Sequence, residues 1–503
     1  MAISTAIGSE RRSRVSGYRI MKGFFDTSSP NLPQQILIVG VPNTANASTV
    51  DYTKMKEVVS AREAGELFGF GSPIYQAMRI LRPLNSDGVG GIPTFVLPLE
   101  NSGVALKLTF AVSGTATKSG THTLVINGRE SVDGYNYAFN VLEGNTAANI
   151  ASQMADAING NIYSPFTAVA TTSNVELTAK YKGVISNDLK ASVSAVENLG
   201  VTYVLSTTTP GSGVSNSSRI EGALSTTWIT SIVNGDSPTL FQEFERINGV
   251  PYIDSPTGRY TPYVFKPFMA YTGITSTVVS DYTALTATST NVGQCTNVIC
   301  PAPGSLGTPV EASANVVRLF SRTMQDTPEK DVNGMVYPDM PISQVPSFAM
   351  FTDYNQRDLF VKNGISNVTF ENNQFLIQDL VTTYHVEGEF PYQFGYARNL
   401  NLDWNVKDAY TIIEKRALRD KVILRDNDFS NSTNTIKPKE WKGIVYGLFG
   451  DLVNAALISD AEFSKQSLRI EVDAVNKDRF NTFFRYRRTG IARIVSTDVE
   501  AGF

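Results

Sequence analysis

The residues able to do chemistry are few and scattered. His122 and His385 are the only histidines, which argues against histidine-based metal binding or a nucleophile–histidine–acid triad. His385 follows Tyr384 on a strand-like stretch and reads as a core or interface residue. Cys295 and Cys300 have no second cysteine or histidine pair with which to complete a zinc site. Two cysteines do not make a secreted disulfide framework, so both are read as buried thiols. Gly69-Phe70-Gly71-Ser72 stands before a helix and could cradle a phosphate at the helix N-terminus. It lacks the lysine of a P-loop, and the plainer reading is a tight turn between two helices. Arg479, Arg485, Arg487, Arg488 and Arg493 interleave with Phe483, Phe484 and Tyr486. Platforms for single-stranded nucleic acid use that mixture. The alternative is a set of arginines flanking a donated strand and pairing with acidic residues of another subunit. The carboxylates form no pair that reads as catalytic. The chain is therefore read as no enzyme, with no catalytic, cofactor-binding or metal-binding residues.

Composition narrows the class further. The 503 residues carry a net charge of −4, with 42% hydrophobic and 18% charged residues. That fits a multidomain globular protein with large buried or interfacial area, and not a nucleic-acid binder by bulk charge. No run reaches the roughly 18 apolar residues of a membrane span, and no secretory leader opens the chain. A soluble protein without a membrane anchor is expected.

Hydrophobic periodicity then places the elements. Residues 1–24 are basic, with Arg11, Arg12, Arg14, Arg19 and Lys22; Val15, Tyr18 and Ile20 could form a short strand on a partner. Gln35 to Gly40 is a central strand, and Ser60-Ala61-Arg62-Glu63 opens a helix that Gly69 stops. Ser72-Pro73 starts the next helix, and Thr94 to Leu97 is a further strand. Between Gly103 and Tyr203 the pattern turns β-rich: Leu106 to Phe110, an Asn127-Gly128 hairpin turn, and one helix capped by Asn145 and closed by Gly160. Residues 206–218, rich in Ser, Thr and Gly, read as a flexible linker. The α/β pattern resumes at Trp228, with a second capping box at Thr308-Pro309-Val310-Glu311. In the last third, Glu371-Asn372-Asn373 turns a hairpin, one helix begins near Tyr410, and another starts at Pro438.

The end of the chain draws the most attention. Leu468, Ile470 and Val472 alternate with Arg469, Glu471 and Asp473, the period of a strand with one buried face. Phe480, Phe484 and Tyr486 mark a returning strand. Thr489-Gly490 breaks it as a hinge, and Ile491, Ile494 and Val495 sit on a last short strand with nothing downstream to pair with it. Such an edge is either blunted or used; use by a neighbouring copy is expected. Lys437, Lys439 and Lys442 cluster at a helix start, where the helix dipole disfavours cations. They suggest an external acidic partner, with a solvated face as the alternative.

The order of these parts resembles the sheath proteins of contractile phage tails, in particular the Mu-like sheaths. Leu67-Phe68-Gly69-Phe70-Gly71-Ser72 is similar to that family's LFG-x-GS signature. Gly120 to Gly128, Asn145 to Ile158 and Leu177 to Lys180 resemble its inserted domain. Asn363-Gly364-Ile365-Ser366, Val381 to Thr383 and Arg398-Asn399 resemble its C-terminal core. Ser16-Gly17-Tyr18 stands where the family commonly opens with glycine-proline.

The resemblance implies an α+β multidomain subunit. Its parts would be an N-terminal arm (1–24), an α/β core domain (25–102 with 206–350), an outward-facing β-rich insertion (103–205), a C-terminal α+β domain (351–489) and a C-terminal arm (490–503). Arms of neighbouring subunits would complete the C-terminal sheet at Leu468, Ile470 and Val472. Implied partners are the protein itself in a helical array of stacked hexameric rings, an inner tail tube protein, for which Lys437, Lys439 and Lys442 are candidates read from the sequence, and baseplate and tail terminator or neck proteins. The implied place is the virion, after assembly in the host cytoplasm, and contraction would drive the tube through the host envelope for genome ejection. Pyocin-type and type VI secretion sheaths, and less closely a capsid or surface-layer protein, are the rival readings.

Overall fold

The computed structural model describes residues 31–287, 293–386 and 394–502. Its body is a six-stranded sheet. The strand Ile36–Gly40 lies inside it, flanked in parallel by Ser231–Gly235 and Thr94–Pro98. Met269–Ile274 and Asn297–Pro301 extend the parallel run on one side, and the short antiparallel Lys56–Glu57 closes the other. All of Ile36–Gly40 is buried because helices cover both faces, which is why its sequence is an unbroken apolar run. Ile36 and Ile38 join one core with Ile74, Met78, Val316 and Phe320. Leu37 and Val39 join a second with Ile220, Leu224 and Phe244.

The helices over the first face are set by their caps. Ser60 accepts from the Glu63 N–H at 3.1 Å and opens Ala61–Phe68; Ser72 accepts from the Tyr75 N–H at 3.1 Å and opens Pro73–Leu81. Thr308 and Glu311 cap Pro309–Asp326 reciprocally, as the sequence predicts. That last helix seats directly on the sheet. A Cβ on Gly273 would lie 1.7 Å from the Pro309 carbonyl oxygen, so only glycine admits the contact. The 69–72 segment is a helix–helix turn: Gly69 has φ +96°, and Asn43 packs where a side chain there would sit.

Between Thr94–Pro98 and Ser231–Gly235 the chain leaves the parallel sheet and builds two antiparallel sheets. One runs Val201–Thr209, Lys107–Gly114, Asn174–Ala179, Phe166–Thr171; the other Ala191–Ser194, Gly120–Ile126, Ala138–Val141. The expected linker at 206–218 is corrected at its start. Ser206 to Thr209 are the end of a strand paired along Lys107–Gly114, and Val104 bridges Ser212. A Ser/Thr-rich stretch reads as flexible by composition, but threonine suits a solvent-facing strand. Hydroxyl pairs hold it across the ladder, Thr109 to Thr208 at 2.6 Å and Ser113 to Thr202 at 2.7 Å. The helix cap is Thr146, not Asn145, and it forms a capping box with Asn149. Asn127 and Gly128 do turn with positive φ, but a small Ser131–Val132/Tyr135–Asn136 hairpin intervenes before Gly120–Ile126 finds its partner.

This antiparallel unit is fused to the body. Its Phe110, Leu177 and Ile158 belong to the same core as Ile36 and Met78. Arg129 reaches across to Glu311 (3.1 Å) and Asp339 (2.7 Å), which also take Arg79 at 2.9 and 2.6 Å. The two arginines hold the Asp339 carboxyl below the usual range against the burial that would raise it. Phe70 and Tyr75 pack on Tyr163, and Tyr75 donates to Asp133. The border is therefore crossed by buried core and by charge pairs that lie far apart in sequence, not by the chain connections alone.

The final third starts with the helix Tyr354–Lys362 and the hairpin of Asn367–Glu371 with Gln374–Asp379, turned by Asn372 and Asn373 at φ +51° and +61°. The helix expected to begin near Tyr410 begins at Ala397 and runs to Leu418. Its first part was hidden because it buries polar side chains, Arg398, Asn399, Asn401 and Asn405, which blur the apolar stripe. The helix straddles two cores. Leu400 and Trp404 face the main one, while Leu402, Val406 and Ala409 face a separate cluster built on Trp441, Val445, Phe449 and Leu452 of Pro438–Asn454.

Candidate assembly surface

Arg469–Val472 pairs antiparallel with Phe480–Phe483, with Val472 opposite Phe480 and Arg469 opposite Phe483. The turn between them is fixed by Asp473, which accepts the N–H groups of Val475 and Asn476 and the side-chain amide of Asn481, each at 2.9 Å. Those donors, Asn476 foremost, pull its carboxyl down to about 2. An isolated two-stranded hairpin is marginal. Here Leu468, Ile470, Phe480 and Phe484 lean on the Pro438–Asn454 helix, with the Phe484 and Phe449 rings 5.2 Å apart. Leu468 is buried, while Ile470 and Val472 are half-buried. No further strand joins either edge of this hairpin among the described residues.

The chain beyond the hairpin is pinned before it is released. Arg487–Arg488 pairs with Ile458–Ser459. Asp403 takes Arg488 at 2.6 Å and the Tyr486 hydroxyl at 2.8 Å. The buried Arg398 donates to the Thr489 carbonyl (2.5 Å), the Thr489 hydroxyl (2.7 Å) and the Glu329 carbonyl (2.8 Å). Thr489 in turn donates to the Ala456 carbonyl at 2.7 Å. Arg493 pairs with Asp331 and stacks 3.6 Å from the centre of the Tyr396 ring. After it the contacts stop: Ile494, Val495 and Val499 are 86%, 81% and 82% exposed.

Over 482 residues, 90% of this chain and 89% of the other, the sequence is 23% identical to the Mu-like prophage FluMu tail sheath protein of Haemophilus influenzae. The chain resembles the Mu-like tail sheath proteins along nearly its whole length. No protein-family model matches it. Two solved structures align at a TM-score of 0.44 each: the sheath tail protein of Desulfitobacterium hafniense, with 11% identity over 93% of this chain and all of the other, and the anti-feeding prophage baseplate in its contracted state, with 10% identity over 97% and 99%.

For a sheath-like chain the expected arm residues fall as follows. Val15, Tyr18 and Ile20 lie outside the described residues. Ile491, Ile494 and Val495 carry no strand; Ile491 is half-buried and the other two are exposed. A strand needs a ladder partner, and none is present here. Thr489 is hydrogen-bonded to Arg398 and to the Ala456 carbonyl, while Gly490 has open space around it. Three of the arginines expected to seek another subunit pair within the chain: Arg487 with Asp460, Arg488 with Asp403, Arg493 with Asp331. Their carboxylate partners lie up to 162 positions away, beyond any spacing rule. Arg398 was the available signal, since a guanidinium among apolar helix residues must find acceptors.

The lysine cluster sits at the head of its helix but is partly engaged. Lys437 donates to the Asp428 carbonyl at 2.6 Å, and the Lys439 N–H meets Asp426 at 2.9 Å. Lys442 lies 5.6 Å from the Tyr446 ring centre. His122 is buried between the Tyr203 hydroxyl (2.7 Å) and the Glu197 carbonyl (3.1 Å). Half-buried His385 meets the Thr383 carbonyl at 2.6 Å. Both cysteines are buried, and neither forms a disulfide. Among the described residues no helix is long and apolar enough to cross a membrane, and no group of three or more His, Cys, Asp or Glu side chains is placed to hold a metal ion.

Proposed function

We infer that this chain is the structural subunit of a contractile tail sheath: it polymerises around an inner tube and shortens to drive that tube through a host envelope. The observation that carries the reading is the similarity to a tail sheath protein over nine-tenths of the chain. The open-edged hairpin at 469–483, beside an exposed apolar tail, supplies a physical route. A tail from one copy adds as a strand to the hairpin of another. Each added backbone hydrogen bond contributes about 0.5–1.5 kcal/mol net. A short strand with two or three buried apolar side chains then supplies on the order of 5 kcal/mol before its ordering cost. Repetition along a lattice makes the array hard to dissolve, and the work of contraction comes from interfaces that form as it proceeds. The N-terminal segment, with Val15, Tyr18 and Ile20, is assigned to the same sheet. The antiparallel unit at 104–212 faces outward, and Lys439 and Lys442 are the remaining candidates for the tube-facing side.

Negative-stain imaging of the purified protein tests this. Hollow tubes of uniform width that survive chelator and reductant are expected. Flat sheets or closed shells would replace the sheath reading with that of a surface-layer or capsid protein.

A further inference from the structure

The segment between the hairpin and the free tail has contacts that a simple tether would not need. Its anchors come from three parts of the molecule: Tyr396, Arg398 and Asp403 at the head of Ala397–Leu418, Glu329 and Asp331 in the loop after Pro309–Asp326, and Ala456 at the end of Pro438–Asn454. Two of the three therefore bypass the small C-terminal core and reach the body. Arg398 is 2% exposed and spends its planar fork on two backbone segments, so it fixes direction as well as distance. Arg493 and Asp331 have side chains only 15% and 10% exposed, and the guanidinium lies flat enough on Tyr396 for a cation–π contact. Exposure then jumps at Ile494.

We propose that residues 486–493 are an anchoring strap, with Arg493 paired to Asp331 as its outermost clamp. The strap sets where the tail leaves the molecule and passes any pull on it to the parallel-sheet body. The freely moving segment then begins at Ile494, five residues beyond Thr489. The role of the tail as the piece taken by a second copy rests on the sheath reading; the anchor itself does not.

The test uses the full-length chain with Arg493→Glu, Asp331→Arg and the two combined. In the unassembled subunit, the amides of Thr489 and Arg493, bonded to the Leu457 and Ile491 carbonyls, should exchange slowly in the wild type. Each single substitution should speed that exchange at least tenfold and leave the melting temperature of the body in place. The combined swap should recover most of the protection, falling short by the lost Tyr396 contact. Tube length should follow the same order: reduced in each single variant and recovered in the swap. Wild-type exchange at 489–493 as fast as at 496–502, single variants that exchange like the wild type, or a swap no better than the singles would each overturn the anchor. A wild-type protein that forms no tubes would remove the sheath reading, while the exchange measurements would still decide the strap.

Discussion

Two smaller units join the same parallel-sheet body, and they join it in opposite ways. The antiparallel unit at 104–212 shares the main core and crosses its border with a nearly buried ion network, Arg79 and Arg129 on Glu311 and Asp339. The C-terminal unit, with Trp441, Phe449 and Phe484, keeps a core of its own. It meets the body along the Ala397–Leu418 helix and through arginine clamps near its rim. Moving the first unit would strand buried charge, at a cost of several kcal/mol per ion. Moving the second would break the Arg398, Asp403 and Asp331 contacts at its rim but leave its own core intact. The first junction is thus a shared core, and the second a single helix with a few arginine clamps.

The largest effect that would break this comparison is excision. Replacing 104–212 with a short linker should leave an insoluble or unfolded chain, read by soluble yield and loss of a cooperative melt. A folded, assembling product would show the junction to be separable. Next comes Glu311→Ala. Glu311 serves the cap of Pro309–Asp326 and both arginines while its side chain is only 3% exposed. Its loss should cost about 3–5 kcal/mol, the range for removing one partner of a buried ion group, and it should lower the main unfolding transition. Phe484→Ala should cost about 2 kcal/mol and act only on the C-terminal unit. Limited proteolysis within 468–502 should accelerate while the main transition stays put.

The smallest effect concerns Asp188, which borders a cavity of about 550 Å³ at the seam between the antiparallel unit, with Lys190, and the body, with Asp236 and Gly304. Burial pushes its carboxyl up to about 7 from 3.8, with Asp236 adding to the rise and Lys190 opposing it. A carboxyl raised on folding costs stability as pH climbs from about 4 through 7, because the folded state must then release a proton it holds more tightly. Asp188→Asn should therefore stabilise at pH 8 and have no effect below pH 4. Asp188 is half-buried beside this cavity, and solvent screening holds the gain to about 1 kcal/mol rather than the several that the full shift would imply. Melting curves at the two pH values decide it.

What was legible in the sequence was local. The cap at Ser60, the capping box at Thr308 and Glu311, the turns at Asn127-Gly128 and Asn372-Asn373, and the alternation at 468–472 each depend on residues within a few positions, and each is found. What was not legible was set by distant partners. Val201–Thr209 is a strand because Lys107–Gly114 lies beside it. Ala397–Leu418 hides its first turns because Arg398 is buried against acceptors, and Asn405 against the Leu32 N–H, elsewhere in the chain. The pairing of the terminal arginines within the chain was not legible, since Asp331 and Asp403 cannot be matched to them by spacing. The terminal hairpin was thus legible by pattern, while the contacts that hold the chain beyond it needed the fold.

Hydrogen exchange compared between free subunits and purified tubes tests the division of labour between the two junctions most directly. The account predicts that protection rises on assembly at 468–483 and 494–502, while the amides around Arg129, Glu311 and Ile126 stay as slow as before. Protection gained across 104–212, with 468–502 unchanged, would contradict it.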